Sequence, residues 1–240
     1  MTTPAAGRVP LVSCVMPTAD RRAFVPQAIR YFRRQDYPNK ELVVVDDGAD
    51  PVEDLVPTDP QVRYVRLTGR RTLGAKRNAC VEVCRGELVM HWDDDDWMAP
   101  HRITYQVAAL VRSGAEVCGS SRLLFYDPVR GHTWLYDYAP DGRPWIAGGT
   151  LLYTKTFWRR APFPDIQVGS DTVFVWNQPL DTAAFLPDYR YYVAVIHPGN
   201  TSPKLLSHAL WTRWEANVEH LIGDDMPFYH ALGTAPEAQR

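Results

Sequence analysis

Residues 88–97 read Leu-Val-Met-His-Trp-Asp-Asp-Asp-Asp-Trp, a short apolar run that ends in the carboxylates of Asp93, Asp94, Asp95 and Asp96. A β-branched residue and an aromatic in so short a run indicate a buried strand, which delivers the acids to one spot. Two unit charges about 4 Å apart repel by roughly 4 kcal/mol at an effective dielectric of about 20, and the flanking Trp92 and Trp97 reduce the access of water further. The cluster therefore requires a positive partner. Mg²⁺ or Mn²⁺ suits it, because hard divalent ions take oxygen ligands and complete their shells with water and substrate phosphates. The competing reading is a solvated acidic turn capping a helix that starts near Pro100. An EF-hand loop is excluded by position. Counted from Asp93, the sixth residue is Met98 where a glycine is needed, and the twelfth is Thr104 where a glutamate is needed.

The elements that position this tract read as alternating strands and helices. A first strand over 11–16 is broken by Pro17 and followed by the polar turn Thr18-Ala19-Asp20. Phe24, Ala28, Ile29 and Phe32 then recur at helical spacing, with Arg33 and Arg34 assigned to the solvated face. A second strand over 41–45 ends in Asp46-Asp47-Gly48, and a third covers 62–67. Ala75, Ala79, Val83 and Cys84 form the buried stripe of a helix expected to close at Gly86, and the strand over 88–92 follows. Such alternation predicts an α/β fold with a Rossmann-like, mostly parallel sheet flanked by helices and joined by right-handed crossovers. Ligands of such sheets bind outside the carboxyl ends of the strands. That rule places the turns at Pro17-Thr18, Asp46-Asp47 and Asp93 to Asp96 on one rim.

The second half is less regular. It reads as a helix over 103–111, a strand over 116–119 and a hairpin pairing 123–126 with 133–138. A loop over 145–150 follows, in which Gly148 and Gly149 allow close backbone approach, leading into an apolar run at 151–153 and a short helix over 154–160. Asp171 falls in the first turn of a further helix, and a last strand over 191–196 ends in His197-Pro198-Gly199-Asn200. A C-terminal helix is expected over 205–222, with Leu206, Leu210, Trp214 and Val218 in register against the core or against a second copy in a homodimer. The expected organisation is one domain over 10–222 between a flexible tail at 1–9 and a second tail at 223–240. Within it, 10–120 forms the nucleotide half, 121–200 the acceptor and catalytic half, and 204–222 the closing helix.

Composition narrows the function classes. Formal net charge is −2 with both signs interspersed, so no global field points to nucleic acid or an anionic membrane; the basic residues between Arg63 and Arg77 are a local exception. Residues 1–8 lack the apolar stretch of a signal peptide, and no run approaches a membrane span, which predicts a soluble, cytoplasmic protein without a transmembrane segment. Cys14, Cys80, Cys84 and Cys118 lack zinc-type pairing and read as buried, reduced thiols.

Several of these stretches together resemble family 2 glycosyltransferases of the GT-A fold: Pro10-Leu-Val-Ser-Cys-Val-Met-Pro-Thr18, Glu41-Leu-Val-Val-Val-Asp-Asp-Gly48, Gly74-Ala-Lys-Arg-Asn78 with Arg85-Gly-Glu87, and Asp93-Asp-Asp-Asp-Trp97 with Pro100. Order and spacing match over the first half, and the later half matches more loosely through Gly148-Gly149, Gly169-Ser-Asp171 and His197. The resemblance implies a sugar transferase that uses a nucleoside diphosphate sugar, with inversion at the anomeric carbon and a hydroxyl acceptor (saccharide, lipid, peptide or small molecule). Carried over by position, Pro17 and Thr18 line the nucleoside pocket with Asp20 in the same turn, and Asp47 accepts a hydrogen bond from the base, most often uracil. Asp93 or Asp94 holds the ribose or phosphate end. Asp95 binds Mn²⁺ or Mg²⁺, and His197 completes the metal shell. Asp171 is the general base, Arg71 and Lys76 reach the diphosphate or base, and the Gly148-Gly149 loop faces the reacting sugars.

Two departures from the pattern stand out. Ala19-Asp20 replaces the usual Tyr-Asn, and Ser170 stands where an acid commonly precedes the base. Five of the assigned residues also have a plainer reading: Asp171 as a helix-start acid, His197 as a turn histidine bonded to backbone, Asp47 as part of an Asp-Gly turn, Arg71 and Lys76 as surface charges. Trp134, Tyr136, Tyr138 and Trp145 either stack on a sugar or fill hairpin and core faces. Two other functions compete. A sugar-phosphate nucleotidyltransferase would carry a glycine-rich loop after the first strand, and Pro17-Thr18-Ala19-Asp20 contains no glycine. A non-catalytic nucleotide-sugar-binding module would share the fold without turnover.

Overall fold

The computed structural model describes residues 9–138, 144–202, 204, 206–215 and 218–234. The expected tail at 1–9 lies outside it except for Val9, and 235–240 of the second tail also lie outside. The chain opens with strand β1 (Val12–Thr18), helix α1 (Val25–Arg33), strands β2 (Lys40–Asp46) and β3 (Val62–Arg66), helix α2 (Leu73–Val83) and strand β4 (Leu88–His91). The short strand β5 (Trp97–Met98), helix α3 (Arg102–Ser113) and strands β6 (Val117–Gly119), β7 (Arg122–Asp127), β8 (His132–Asp137) and β9 (Leu152–Thr154) follow. Helices α4 (Lys155–Arg160) and α5 (Ser170–Trp176), strands β10 (Ala183–Phe185), β11 (Tyr192–Val195) and β12 (Trp211–Arg213), and helices α6 (Val218–Ile222) and α7 (Met226–Thr234) complete it.

One sheet has the order β10-β6-β9-β4-β1-β2-β3. β1 runs parallel to both β2 and β4, and β2 parallel to β3, while β9 lies antiparallel between β4 and β6. Every residue of β2 and β4 is buried, the mark of strands covered on both faces. The second sheet, β12-β8-β7-β11-β5, stands beside it, and the β7–β8 pair is the expected hairpin. The parallel run β3-β2-β1-β4, with the crossover helices of the first half on its faces, is the α/β arrangement expected from the alternating elements; the antiparallel β9 and a second, largely antiparallel sheet were not expected.

Local chemistry explains most boundaries. Pro26 lies in the first turn of α1, where its missing N–H is not needed, and Thr72 caps α2 by accepting from the Ala75 amide at 3.1 Å. Gly114 ends α3 with φ at +65°, the left-handed region that favours glycine. Gly86 was expected to stop α2 in the same way, but α2 ends at Val83. A Cβ at Gly86 would lie 2.6 Å from the Leu11 carbonyl oxygen, so this glycine serves close approach to β1.

Three further expectations are corrected. The single helix over 205–222 does not form. Residues 206–210 turn, Trp211–Arg213 add β12 to the edge of β8, and only Val218–Ile222 are helical. Pairing with β8 at Trp134, Leu135 and Tyr136 outweighs a helical pattern that local spacing alone suggested. The segment beyond 222 is no tail either: α7 docks on α1, with Tyr229 fully buried and the Tyr31 hydroxyl donating to the Tyr229 hydroxyl at 2.9 Å. Arg34 is not simply solvated; it donates to Asp225 and to the Met98 carbonyl and stacks on Tyr31. The four cysteines are free and buried, as expected, and among the described residues no helix is long and apolar enough to cross a membrane.

Candidate active site

The strand ends converge on a cavity of about 930 Å³ lined by the turn after β1, the acidic tract after β4, the start of α2, the 147–149 loop, α5 and the segment after β11. Pro17, Thr18, Asp20, Arg71, Lys76, Asp93, Asp94, Asp95, Gly148, Gly149 and Asp171 all reach this wall. Residues from both sheets thus meet at the rim to which topology assigned them.

The four acids of the tract do four different things. The Thr18 hydroxyl donates to Asp94 at 2.6 Å, which joins the turn after β1 to the tract. Asp95 accepts from Arg21 at 3.1 Å and lies 2.9 Å from His197 Nε2. The Gly199 amide donates to Nδ1 of His197 at 3.1 Å, so in the neutral ring the proton resides on Nε2 and points at Asp95. The Tyr192 hydroxyl lies between Asp93, at 2.9 Å, and Asp96, while Asp96 also accepts from the Val195 amide at 2.8 Å.

Crowding sets the charge of the tract. Burial, then the charge of Asp95, raises the carboxyls of Asp93 and Asp96, and the same causes push Asp94 up to about 7. Burial acts on Asp95 in the same direction, but its hydrogen bond to His197 and the Arg21 charge outweigh it and hold Asp95 below the usual carboxylate range. Asp95 is thus the ionised member of a set that resists further ionisation. Its 2.9 Å separation from His197 Nε2 also matches two adjacent ligands of one ion, which with bonds of about 2.1 Å would lie about 3 Å apart; for Nε2 to ligate, the ring proton must pass to Nδ1 and the Gly199 amide bond must give way. Two side-chain donors are few. Among the described residues no group of three or more ligand-type side chains is preassembled, so an ion here would draw on water or substrate oxygens for the rest.

Asp171 occupies the first turn of α5 with its carboxylate 3.6 Å from Arg77, whose guanidinium also donates to Ser170 at 2.8 Å. Ser170, in place of an acid, thereby accepts from the same arginine that steers Asp171. The two glycines thread between Asp171 and the acidic tract with no room for a side chain. A Cβ at Gly148 would lie 2.0 Å from the Asp171 carboxylate, and one at Gly149 would lie 2.1 Å from the Tyr192 hydroxyl and 2.6 Å from Asp93.

The Asp47 side chain is held beneath the wall with both oxygens engaged, one by Lys76 and the other by the Arg71 amide at 2.8 Å. Lys76 also donates to the Thr18 carbonyl at 3.0 Å. Asp20, at φ +57°, accepts from the Asp50 amide and from Arg70.

Sequence reasoning missed Arg21, Arg77, His91, Arg102 and Tyr192. Arg102 is fully buried, donates to the carbonyls of His91 at 3.0 Å and Gly149 at 2.6 Å, and packs over Trp92 and Tyr192. His91 Nδ1 donates to the Gly148 carbonyl at 2.7 Å, and burial keeps this ring neutral by driving its pKa well below the usual value. Between them these two side chains fix the glycine loop. A signal did exist for Arg102. With Gln106 it places two polar residues one turn apart on the apolar face of α3, where Ile103, Val107 and Leu110 are also buried. Tyr192, inside an otherwise apolar strand, gave none.

The chain is similar to known proteins in both sequence and fold. The model of the family described as glycosyl transferase family 2 matches residues 13–167. The putative colanic acid biosynthesis glycosyl transferase WcaA of Escherichia coli K12 is 29% identical over 175 residues, which cover 70% of this chain and 57% of that protein. Succinoglycan biosynthesis protein ExoO of Rhizobium meliloti is 32% identical over 120 residues, covering 49% of this chain and 34% of that one. The chain therefore spans less than two thirds of the length of either relative. Among solved structures, S. aureus TarS 1-349 in complex with UDP-GlcNAc superposes with a TM-score of 0.63 at 19% identity, over 80% of this chain and 60% of that one. The mannosyltransferase PcManGT from Pyrobaculum calidifontis, in complex with GDP-Man and Mn²⁺, gives a TM-score of 0.59 at 21% identity, over 79% and 57%. At those identities the structures speak for the shared GT-A type fold. With a family match over more than half of its length and a fold to suit it, the chain belongs to glycosyl transferase family 2.

Proposed function

We propose that this protein transfers a sugar from a nucleoside diphosphate sugar, a UDP-sugar first among candidates, to a hydroxyl acceptor with inversion at the anomeric carbon and with the help of Mn²⁺ or Mg²⁺. The observation that carries this reading is the placement of Asp171 and the acidic tract on one cavity, separated only by a glycine loop too tight for any side chain. The diphosphate lies toward Asp93, Asp94 and Asp95, with Arg71 and Lys76 on the same wall, and the nucleoside toward Pro17, Thr18 and Asp20. Asp47 acts on the nucleoside side through the Arg71 amide and Lys76 that it holds.

Asp171 accepts the proton of the acceptor hydroxyl as its oxygen bonds to the anomeric carbon, and the bond from that carbon to the phosphate oxygen breaks, releasing the nucleoside diphosphate. Asp95 and His197 are the residues to hold a divalent ion, which when bound supplies Lewis-acid stabilisation of the charge on the departing diphosphate. Arg77 positions Asp171, and the loop at Gly148 and Gly149 brings backbone against the reacting centre where side chains would exclude it. On the far side Phe125, Tyr136, Trp145 and Trp211 present a wall of rings, joined to α5 by the Trp145 indole N–H donating to Thr172, and this wall faces the acceptor.

A panel of UDP-, GDP- and dTDP-sugars incubated with the protein and Mn²⁺, followed by mass spectrometry, tests the reading. One donor class should be consumed with release of its nucleoside diphosphate, and Asp95→Ala should abolish both metal-dependent donor binding and release. Thermal stabilisation by a donor with no release from any, acceptor mixtures included, would contradict it.

A further inference from the structure

Arg21 belongs to the turn after β1 and reaches across the cavity to the far turn at 197–200. Its Nη1 lies 3.1 Å from Asp95 and 3.3 Å from His197 Nε2, and its Nη2 donates to the Gly199 carbonyl at 2.5 Å. Phe24 supports both partners from one side, with the guanidinium carbon 5.4 Å from its centroid and the His197 ring at 4.8 Å. Arg21 and Asp95 are only 17% and 14% exposed, so the pair is sheltered and far from a loose surface contact.

The other basic residues whose partners are defined on this wall are committed elsewhere: Arg70 to Asp20, Lys76 to Asp47 and Thr18, and Arg77 to Ser170 and Asp171. Of these, Arg21 alone forms an ion pair with a carboxylate of the tract.

Its position conflicts with that of a divalent ion. An ion bonded to both Asp95 and His197 at about 2.1 Å, on the side Arg21 occupies, would lie roughly 1.5 Å from Nη1, far inside contact distance. On that side the two cations cannot share the edge, so an ion bound there displaces Arg21. A guanidinium released from a carboxylate has an equally good partner within the same cavity, since its fork of donors matches the oxygens of a phosphate.

We propose that Arg21 is an exchangeable cation: it neutralises the Asp95–His197 pair in the free protein and passes to the donor's diphosphate when a divalent ion takes that pair. The inference rests on the metal-assisted reading above and adds two consequences to it. Arg21 weakens binding of the ion alone, and strengthens binding of the nucleotide. Ion and nucleotide therefore bind with mutual assistance, because each provides for what the other displaces.

The test is Arg21→Met, which keeps the length of the side chain and removes its charge and donors. Binding of Mn²⁺ alone is followed by the electron paramagnetic resonance of the free ion, and binding of UDP and of GDP in saturating Mn²⁺ by calorimetry. Mn²⁺ alone should bind at least fivefold more tightly to Arg21→Met than to the natural protein, and the preferred nucleotide at least tenfold more weakly. Mn²⁺ affinity that is equal or lower in the variant, at whatever level, overturns the inference. Asp95→Asn separates this from failure of the metal reading. If nucleotide-dependent Mn²⁺ binding is unaffected by Asp95→Asn, the ion site itself is misplaced; if it is lost there yet Mn²⁺ affinity ignores Arg21, only the exchange is wrong. Should Arg21→Met fail to fold, a structure of the natural protein with Mn²⁺ and nucleotide decides the matter: the guanidinium is expected on the diphosphate, and its retention on an ion-bound Asp95 contradicts the proposal.

Discussion

The turn after β2 and the tract after β4 look alike as sequence, each a run of aspartates at the end of an apolar strand, yet they are built in opposite ways. At the first, Asp46 accepts from the amides of Gly48 and Val52, from the Tyr64 hydroxyl and from Arg66, while Asp47 is closed by Lys76 and the Arg71 amide. At the second, four carboxyls crowd together with Thr18, Tyr192, Arg21 and His197 as their side-chain partners, and three of them are held above the normal carboxylate range. A buried acid with a full set of donors is architecture. A buried cluster short of positive charge is a site prepared for something positive, or for something that brings it.

Substitutions that remove charge should therefore act in opposite directions at the two turns. The largest effect is expected from Lys76→Met, which strands Asp47 in the interior; breaking a buried pair in this way costs about 3–5 kcal/mol, measurable by denaturant unfolding. Asp94→Asn should instead stabilise the metal-free protein, by on the order of 1–3 kcal/mol at pH 8. The sign follows from its raised pKa of about 7. The folded state holds the proton that the unfolded state has already lost, so stability from Asp94 is full near pH 4 and is lost as pH rises through about 7. The asparagine variant does not suffer that loss, and its advantage in melting temperature should grow from pH 5 to pH 8 and then level off. An advantage independent of pH would show that crowding at the tract is not electrostatic. The smallest effect is expected at a distance from both turns: Tyr229→Phe removes one buried hydroxyl contact with Tyr31, should cost about 1 kcal/mol, and should leave nucleotide affinity unchanged.

The sequence made the first half of the site legible because its logic is local. Apolar strands ending in Thr18, Asp47 and Asp93 need only the rule that parallel strand ends share a rim, and the structure places those ends together. Legibility failed where partners are distant in sequence. Tyr192 meets Asp93 and Asp96 across about a hundred residues, and Arg102 supports the Gly149 carbonyl from another element altogether. The same cause produced the error at 205–222, where Leu206, Leu210, Trp214 and Val218 carry a helical spacing but β8 offers an open edge. A pattern read along the chain cannot register a strand waiting in the other sheet. Asp47 shows a subtler limit: its position was legible, but its saturation by Lys76 and Arg71 was not.

Asp171→Asn is the decisive variant, with affinity for the nucleotide and release of nucleoside diphosphate from the preferred donor measured on the same preparation. The variant keeps the shape of the residue and removes its capacity to take a proton. Nucleotide affinity should stay within about twofold, while turnover should fall by a factor on the order of 10²–10⁴, the usual contribution of a positioned general base. Turnover at the unaltered rate would contradict the account, and so would a parallel loss of nucleotide binding, which would mark Asp171 as part of the binding wall rather than as the base.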